Sequence, residues 1–346
     1  MNWSFALALA AFLTVTGGLL ALLFIPVVRE WRRPTDAAAL GIAAEYTTDI
    51  EHFAKRFQAR ALAALRNPGA ANGFGFFNGS PSQLASDASR PLIARSDLDS
   101  AKALRVHQPL YIAGRLRAGG GSRFSALYVA GDLDLGCDSC ITQWAHAEGV
   151  ARLREQCGAV GRLSAGVAVE LAGGCWFERI RAPLVRAGGA GADRLAPNLF
   201  APQLCASMLE LPGAVQQSAS TYLVDGDCAL PPGRRFTGSL VVRGFLTIDA
   251  HTTVVGDIKA RDGVRIGHRA VVEGAVTCGS RVYVLPEARA FGPLVCESDV
   301  RVGARAVVGL PSAPTTLSAR TIILEPGALV HGEIRAWVLG MVKAPA

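Results

Sequence analysis

Eight cysteines and six histidines are the side chains best suited to chemistry in this 346-residue chain. Cys137-Asp138-Ser139-Cys140 forms a C-x-x-C, with Cys157 and Cys175 downstream. Four converging thiolates would hold zinc in a tetrahedral site. A C-x-x-C pair can also carry redox chemistry when one thiol is acidified. Strong zinc signatures have two C-x-x-C pairs, and this chain has one. Cys157 follows Cys140, Cys175 follows Cys157, and Cys296 follows Cys278, each at seventeen or eighteen positions. That interval suits stacked thiols acting as small buried apolar groups. Packing is the favoured reading, with a zinc site at Cys137, Cys140, Cys157 and Cys175 as the alternative. His268, in Ile266-Gly267-His268-Arg269, is the best-placed general base, and His251 and His331 also fall in turns. None has an evident carboxylate to orient it, as a catalytic base requires. The glycines at 119–121 and 188–191 lack the Lys-Ser/Thr ending of a phosphate loop. These residues predict neither an enzyme nor a bound cofactor.

What would position such residues is a repeat of eighteen. Leu246, Val264, Val282 and Val300 form one column, and Ile248, Ile266, Val284 and Val302 the next. Val254, Val272, Ala290 and Val308 form a third, and Leu240, Ile258, Val276 and Leu294 a fourth. Gly238, Gly256, Gly274 and Gly292 share one turn. The register slips by four through Leu310-Pro311-Ser312-Ala313-Pro314 and then resumes. Eighteen residues make three strands of about six, one coil of a parallel β-helix. Alternate side chains point inward, and stacked coils close the core. A weaker echo, Ile112-Ala113-Gly114 against Val129-Ala130-Gly131, extends irregular coils over 108–186. Residues 187–232 break the pattern and read as an insertion or loop. The regular β-helix occupies 233–346 and closes on Trp337-Val338-Leu339-Gly340-Met341-Val342. This apolar segment is either a cap or an end-to-end contact, so Trp337, Val338, Leu339, Met341 and Val342 are the self-association candidates.

Residues 5–28, opening on Phe5 and closing on Val28, form one uninterrupted uncharged run. It is long enough for a transmembrane helix. Trp3 and Trp31 flank it, and Arg29, Arg32 and Arg33 follow it directly. No basic n-region or A-x-A cleavage pattern is present, so a retained anchor is expected at 1–33. The arginines place the following bulk in the cytoplasm and the N-terminus outside. Free thiols are expected there. Pro34-Thr35-Asp36 can start a helix. Ile42, Tyr46, Ile50, Phe53, Phe57, Ala61 and Leu65 mark one face of an amphipathic helix over 34–66. Residues 67–107 read as a linker. The net charge of +7 is dispersed, without the basic stripe interleaved with aromatics that nucleic acid requires.

The coils GSLVVRGFLTIDAHTTVVGDIKARDGVRIGHRAVVEGAV resemble the bactofilin, or polymer-forming cytoskeletal, family over about residues 233–338. The resemblance implies a right-handed β-helix, self-association without nucleotide, and a scaffold at the inner membrane that places cell-envelope enzymes. The full transmembrane run, the helix and the irregular first half depart from the family's usual small soluble member. Two other readings share the repeat. One is a membrane-tethered binding module that does not polymerise. The other is a hexapeptide-repeat acyltransferase, which needs a small residue two before each aliphatic one. That condition holds at Thr252, Ala270, Ala288 and Ala306 but fails at Leu240, Ile258, Val264, Val276 and Val282.

Overall fold

The computed structural model describes residues 3–32, 49–67, 73–77, 90–188 and 204–344. The chain divides into two compact units, 1–49 and 50–346.

The first unit contains α1, Trp3–Arg32, a helix of 30 residues, about 45 Å long at 1.5 Å per residue. Leu7, Phe12, Leu13, Leu19, Phe24 and Ile25 are exposed along it. Among the described residues no helix is long and apolar enough to cross a membrane. The span expected over 5–28 is therefore not shown. The helix start at 34–36, with Ile42 and Tyr46, lies outside the described residues.

The second unit is a β-solenoid of about 13 turns with ~18 residues per coil. The four columns read from the sequence are parallel ladders. Leu246, Val264, Val282 and Val300 pair in register, and so do Ile248, Ile266, Val284 and Val302. All eight side chains are buried. The four-residue slip is absorbed at 310–314, so Val300 meets Ile322 and Val302 meets Leu324. Gly256, Gly274 and Gly292 stack at one corner. A Cβ on Gly274 would lie 2.3 Å from the Gly256 carbonyl oxygen, and one on Gly292 2.4 Å from the Gly274 oxygen. Close approach of successive coils, more than dihedral freedom, keeps this corner glycine.

The first half is more regular and longer than its sequence suggests. Strand pairing begins inside the stretch read as a linker, where Gly75–Phe77 runs parallel to Leu92–Ala94. Leu92 pairs with Leu110 and Leu98 with Leu116. The strands there are only two or three residues long, too short for alternation to stand out against the flanking polar residues. The supposed insertion also shrinks. Thr221–Val224 and Cys228–Leu230 pair one coil ahead, with Ser239–Val242 and Phe245–Ile248.

The two halves meet end to end. Strand Trp176–Ala187, last of the first half, runs antiparallel to Leu329–Val342, last of the second. Contact is made on all three sides of the section: Phe177 with Gly340, Ile180 with Ile334, and Val185 with Val330. One hydrophobic core therefore runs from Phe77 to Val342.

The amphipathic helix is α2, His52–Arg66. Ala54, Phe57, Ala61 and Ala64 are buried on it. They pack on Ile93, Tyr111 and Tyr128, which face outward from successive coils of the first half. Ile50 and Ala61 are buried as the spacing predicts, but Phe53 is 48% exposed. Its ring lies under the Arg162 guanidinium, 4.6 Å from the centroid.

Candidate interaction surfaces

The cysteines do not converge. Among the described residues no group of three or more His, Cys, Asp or Glu side chains is placed to hold a metal ion. Cys137 is exposed, and its thiol donates to Glu155 Oε2 at 3.0 Å. That hydrogen bond, followed by desolvation, raises its pKa. Burial raises Cys140 likewise. A redox-active C-x-x-C needs the opposite shift. Cys157 and Cys175 are buried, and their thiols donate to the carbonyls of Gly136 at 3.2 Å and Arg154 at 3.0 Å. Cys278 and Cys296 pair directly across adjacent coils and are buried.

His251 and His268 lie in turns as expected, whereas His331 falls inside the strand Leu329–Val342; His268 and His331 are both bound into the scaffold. His268 Nδ1 donates to the Pro286 carbonyl of the next coil at 2.8 Å, and its ring meets His251 edge-on at 6.0 Å. His331 Nδ1 donates to the Pro183 carbonyl at 3.0 Å. Since Pro183 belongs to the first half and His331 to the second, this bond crosses the junction.

The apolar C-terminal segment faces the first half. Met341 pairs with Trp176. Val342 donates its N–H to Cys175 and accepts from Gly174. Met341 and Val342 thus belong to an internal junction. Trp337 and Val338 bulge at a corner, where the register shifts between Ala319 and Thr321, and Leu339 pairs with Thr321 just beyond it. Trp337 is 77% and Val338 59% exposed, and the Trp337 indole donates to Ser318 Oγ at 3.1 Å.

Two surfaces escaped the sequence reading. The first is a charge ladder on one outer face: Asp99, Arg117, Asp134, Arg152, Glu170 and Arg186 pair in succession. Signs alternate at every step. Glu170 receives Arg152 at 3.2 Å and Arg186 at 2.7 Å. The signal was available as six charges about eighteen apart. The second lies under α2. Tyr111 and Tyr128 stack at 5.2 Å, and Phe57 meets Trp144 edge-on at 5.5 Å. Tyr128 donates to Glu148 at 2.5 Å, and Gln58 of α2 donates to the same carboxylate oxygen at 2.8 Å. His146 is buried beside Ser164, 2.8 Å from its hydroxyl. Desolvation lowers the His146 pKa, against the pull of Glu51 and Glu148.

Most outward side chains in these surfaces are engaged with neighbouring coils or with α2. Comparison with known proteins finds no matching family model, no matching curated protein and no matching solved structure.

Proposed function

We propose that the chain is a membrane-anchored scaffold in which α1 tethers a stiff solenoid that meets further copies and positions cell-envelope proteins. The observation carrying this reading is the junction, where two solenoid halves seal into a single core from Phe77 to Val342. A rod of this kind offers extended surfaces suited to binding along its length. Tethering raises local concentration at the bilayer, so weak contacts between copies become effective. The uncharged run 5–28 and the 30-residue helix that contains it support the anchor. Arg29, Arg32 and Arg33 support a cytoplasmic solenoid with the N-terminus outside. The β-solenoid fold is consistent with the bactofilin-like reading.

Two differently tagged copies expressed together test the scaffold. Both tags should resist alkaline extraction from membranes and co-purify after mild solubilisation. Recovery in the soluble fraction would remove the anchor, and strictly separate tags at high expression would remove self-association. In the latter case the non-polymerising binding module becomes the better reading.

A further inference from the structure

Among the described residues, the outer end of the second half is built unlike the other coils. Leu204–Ala206 adds a parallel strand beside Arg234–Thr237. The backbone then turns inward through a short 3-10 helix, Met208–Glu210. A capping box fixes that turn: Ser207 Oγ accepts from the Leu209 N–H at 3.2 Å, and Glu210 Oε1 accepts from the Ser207 N–H at 3.1 Å. Met208 and Leu211 are 1% and 5% exposed and belong to the main core. Ala214–Gln216 next returns antiparallel to Thr221–Val224, pairing Ala214 with Val224 and Gln216 with Tyr222. Glu210 is tied to Arg234 at 3.6 Å.

We propose that residues 204–216 are a built-in cover over a coil end able to dock a second copy of this chain, so that the segment holds end-to-end association in check. The inference rests on the scaffold reading and names the surface through which copies would meet. Its warrant is the repetition of one device. At the internal junction, a coil end is closed by an antiparallel strand and apolar side chains supplied by the other half. At the far end, the same two elements come from the chain's own flanking segment. The surface underneath therefore has the shape and chemistry that this protein already seals against a like surface.

The cover is slight beside that junction. It supplies three antiparallel pairs, where the junction has eight. Among the described residues no strand pairs with the outer edge of Cys228–Leu230, which pairs only with Phe245–Ile248. Permanent solenoid caps present a polar outer face. Here Leu204 is 73%, Leu209 53% and Val215 61% exposed. A segment that covers two sides, plugs the section with two side chains and keeps apolar groups outside suits a cover that can be displaced.

The test uses the full chain in mild detergent. One variant carries Met208→Asp with Leu211→Asp. A second replaces residues 207–216 with a Gly-Ser segment of equal length. Sedimentation velocity and negative-stain particle lengths are compared with the unaltered chain. Both variants should give pairs of twice the single-rod length, with self-association at least about tenfold tighter, roughly the factor expected from 1.4 kcal/mol. In the pairs, amide exchange at 221–224 should be slow again. Variants that melt like the unaltered chain yet keep its size at the highest concentration would overturn the proposal. So would loss of cooperative melting in both, because the segment would then be part of the fold and not a cover. Co-purification of tagged unaltered copies reports on the scaffold, and only the difference between variants and unaltered chain reports on the cover.

Discussion

Glu287 sits at a corner where the backbone takes positive φ at four stacked non-glycine residues: His251 at 58°, Arg269 at 55°, Glu287 at 62° and Arg305 at 56°. Such residues are disfavoured there, and here the side chains offset part of the strain. Glu287 bridges Arg269 at 2.6 Å and Arg305 at 2.5 Å. The two guanidiniums pull its pKa from the ordinary 4.5 down to about 2. A folded-state pKa below the unfolded one contributes stability above the ordinary value, and this is lost as pH falls toward about 2. Both arginines are more than half exposed, so solvent screening keeps the effect small. Glu287→Gln should lower Tm at pH 7 by about 2 °C, with the gap from the unaltered chain closing near pH 2. A gap that stays constant with pH would mean that packing, not charge, is what the substitution removes. Gly274 is the harsher case. Gly274→Val puts a methine where the Gly256 carbonyl oxygen lies 2.3 Å away, so a cost of about 2–3 kcal/mol is expected from overpacking. Chemical denaturation measures it, and a loss under about 0.5 kcal/mol would show that successive coils can part at that corner.

Element by element, α2 is the part held least by ladder hydrogen bonds and most by side chains. Phe57 is 6% exposed and lies between Phe74 and Trp144. Phe57→Ala should cost the helix about 3–4 kcal/mol of docking. Proteolysis at Arg56 or Arg60 should then speed up while the solenoid's own melting hardly moves. Equal loss in both would make the helix part of the solenoid's cooperative unit. His146 adds a pH dependence, since burial lowers its pKa. The fold binds that proton less readily than the unfolded chain, so the contribution is full above about 6.5 and fades as pH falls below it. The groups facing His146 are Glu51, just before α2, Lys55 within it, and Glu148, Tyr128 and Ser164 from the coils. Amide protection factors across His52–Arg66, corrected for the intrinsic pH dependence of exchange, should therefore fall between pH 7 and 5, and His146→Gln should flatten that fall. Of these features, the sequence displays the inward ladders plainly, because columns such as Leu246 to Val300 repeat at one fixed interval. It also displays one face of α2. The surface beneath is hidden in runs like Leu110-Tyr111-Ile112, where consecutive apolar residues blur which one points outward. Phe53 kept its place in the helical spacing, but the stripe alone cannot register the arginine that covers it from the solenoid.

The whole molecule is governed by a contact that leaves no periodic trace. The apolar run at 337–342 announces an end that must be sealed, yet which surface seals it depends on antiparallel meeting of residues more than a hundred positions apart. Gly188 donates to Leu171 at the junction. Leu204 lies six strand pairings away on the same side of the second half, about 29 Å at the usual strand spacing. With both last coils consumed in the junction, only first coils remain at the two ends of the rod. Any end-to-end contact between copies must then join first coil to first coil, and the junction itself should set how the rod unfolds. Coupling between neighbouring coils makes a solenoid melt as one unit while its interfaces hold. Gly340 is where that coupling can be cut, because a Cβ there would lie 2.1 Å from the Phe177 ring. Gly340→Leu should split a single calorimetric transition into two, one for each half, and raise amide exchange first at 176–187 and 329–342. Each half keeps its own ladders, so circular dichroism should change little at 25 °C. If the variant still melted in one transition, the halves would be coupled through something other than this seam, and the picture of one rod made by sealing two coil ends would have to be given up.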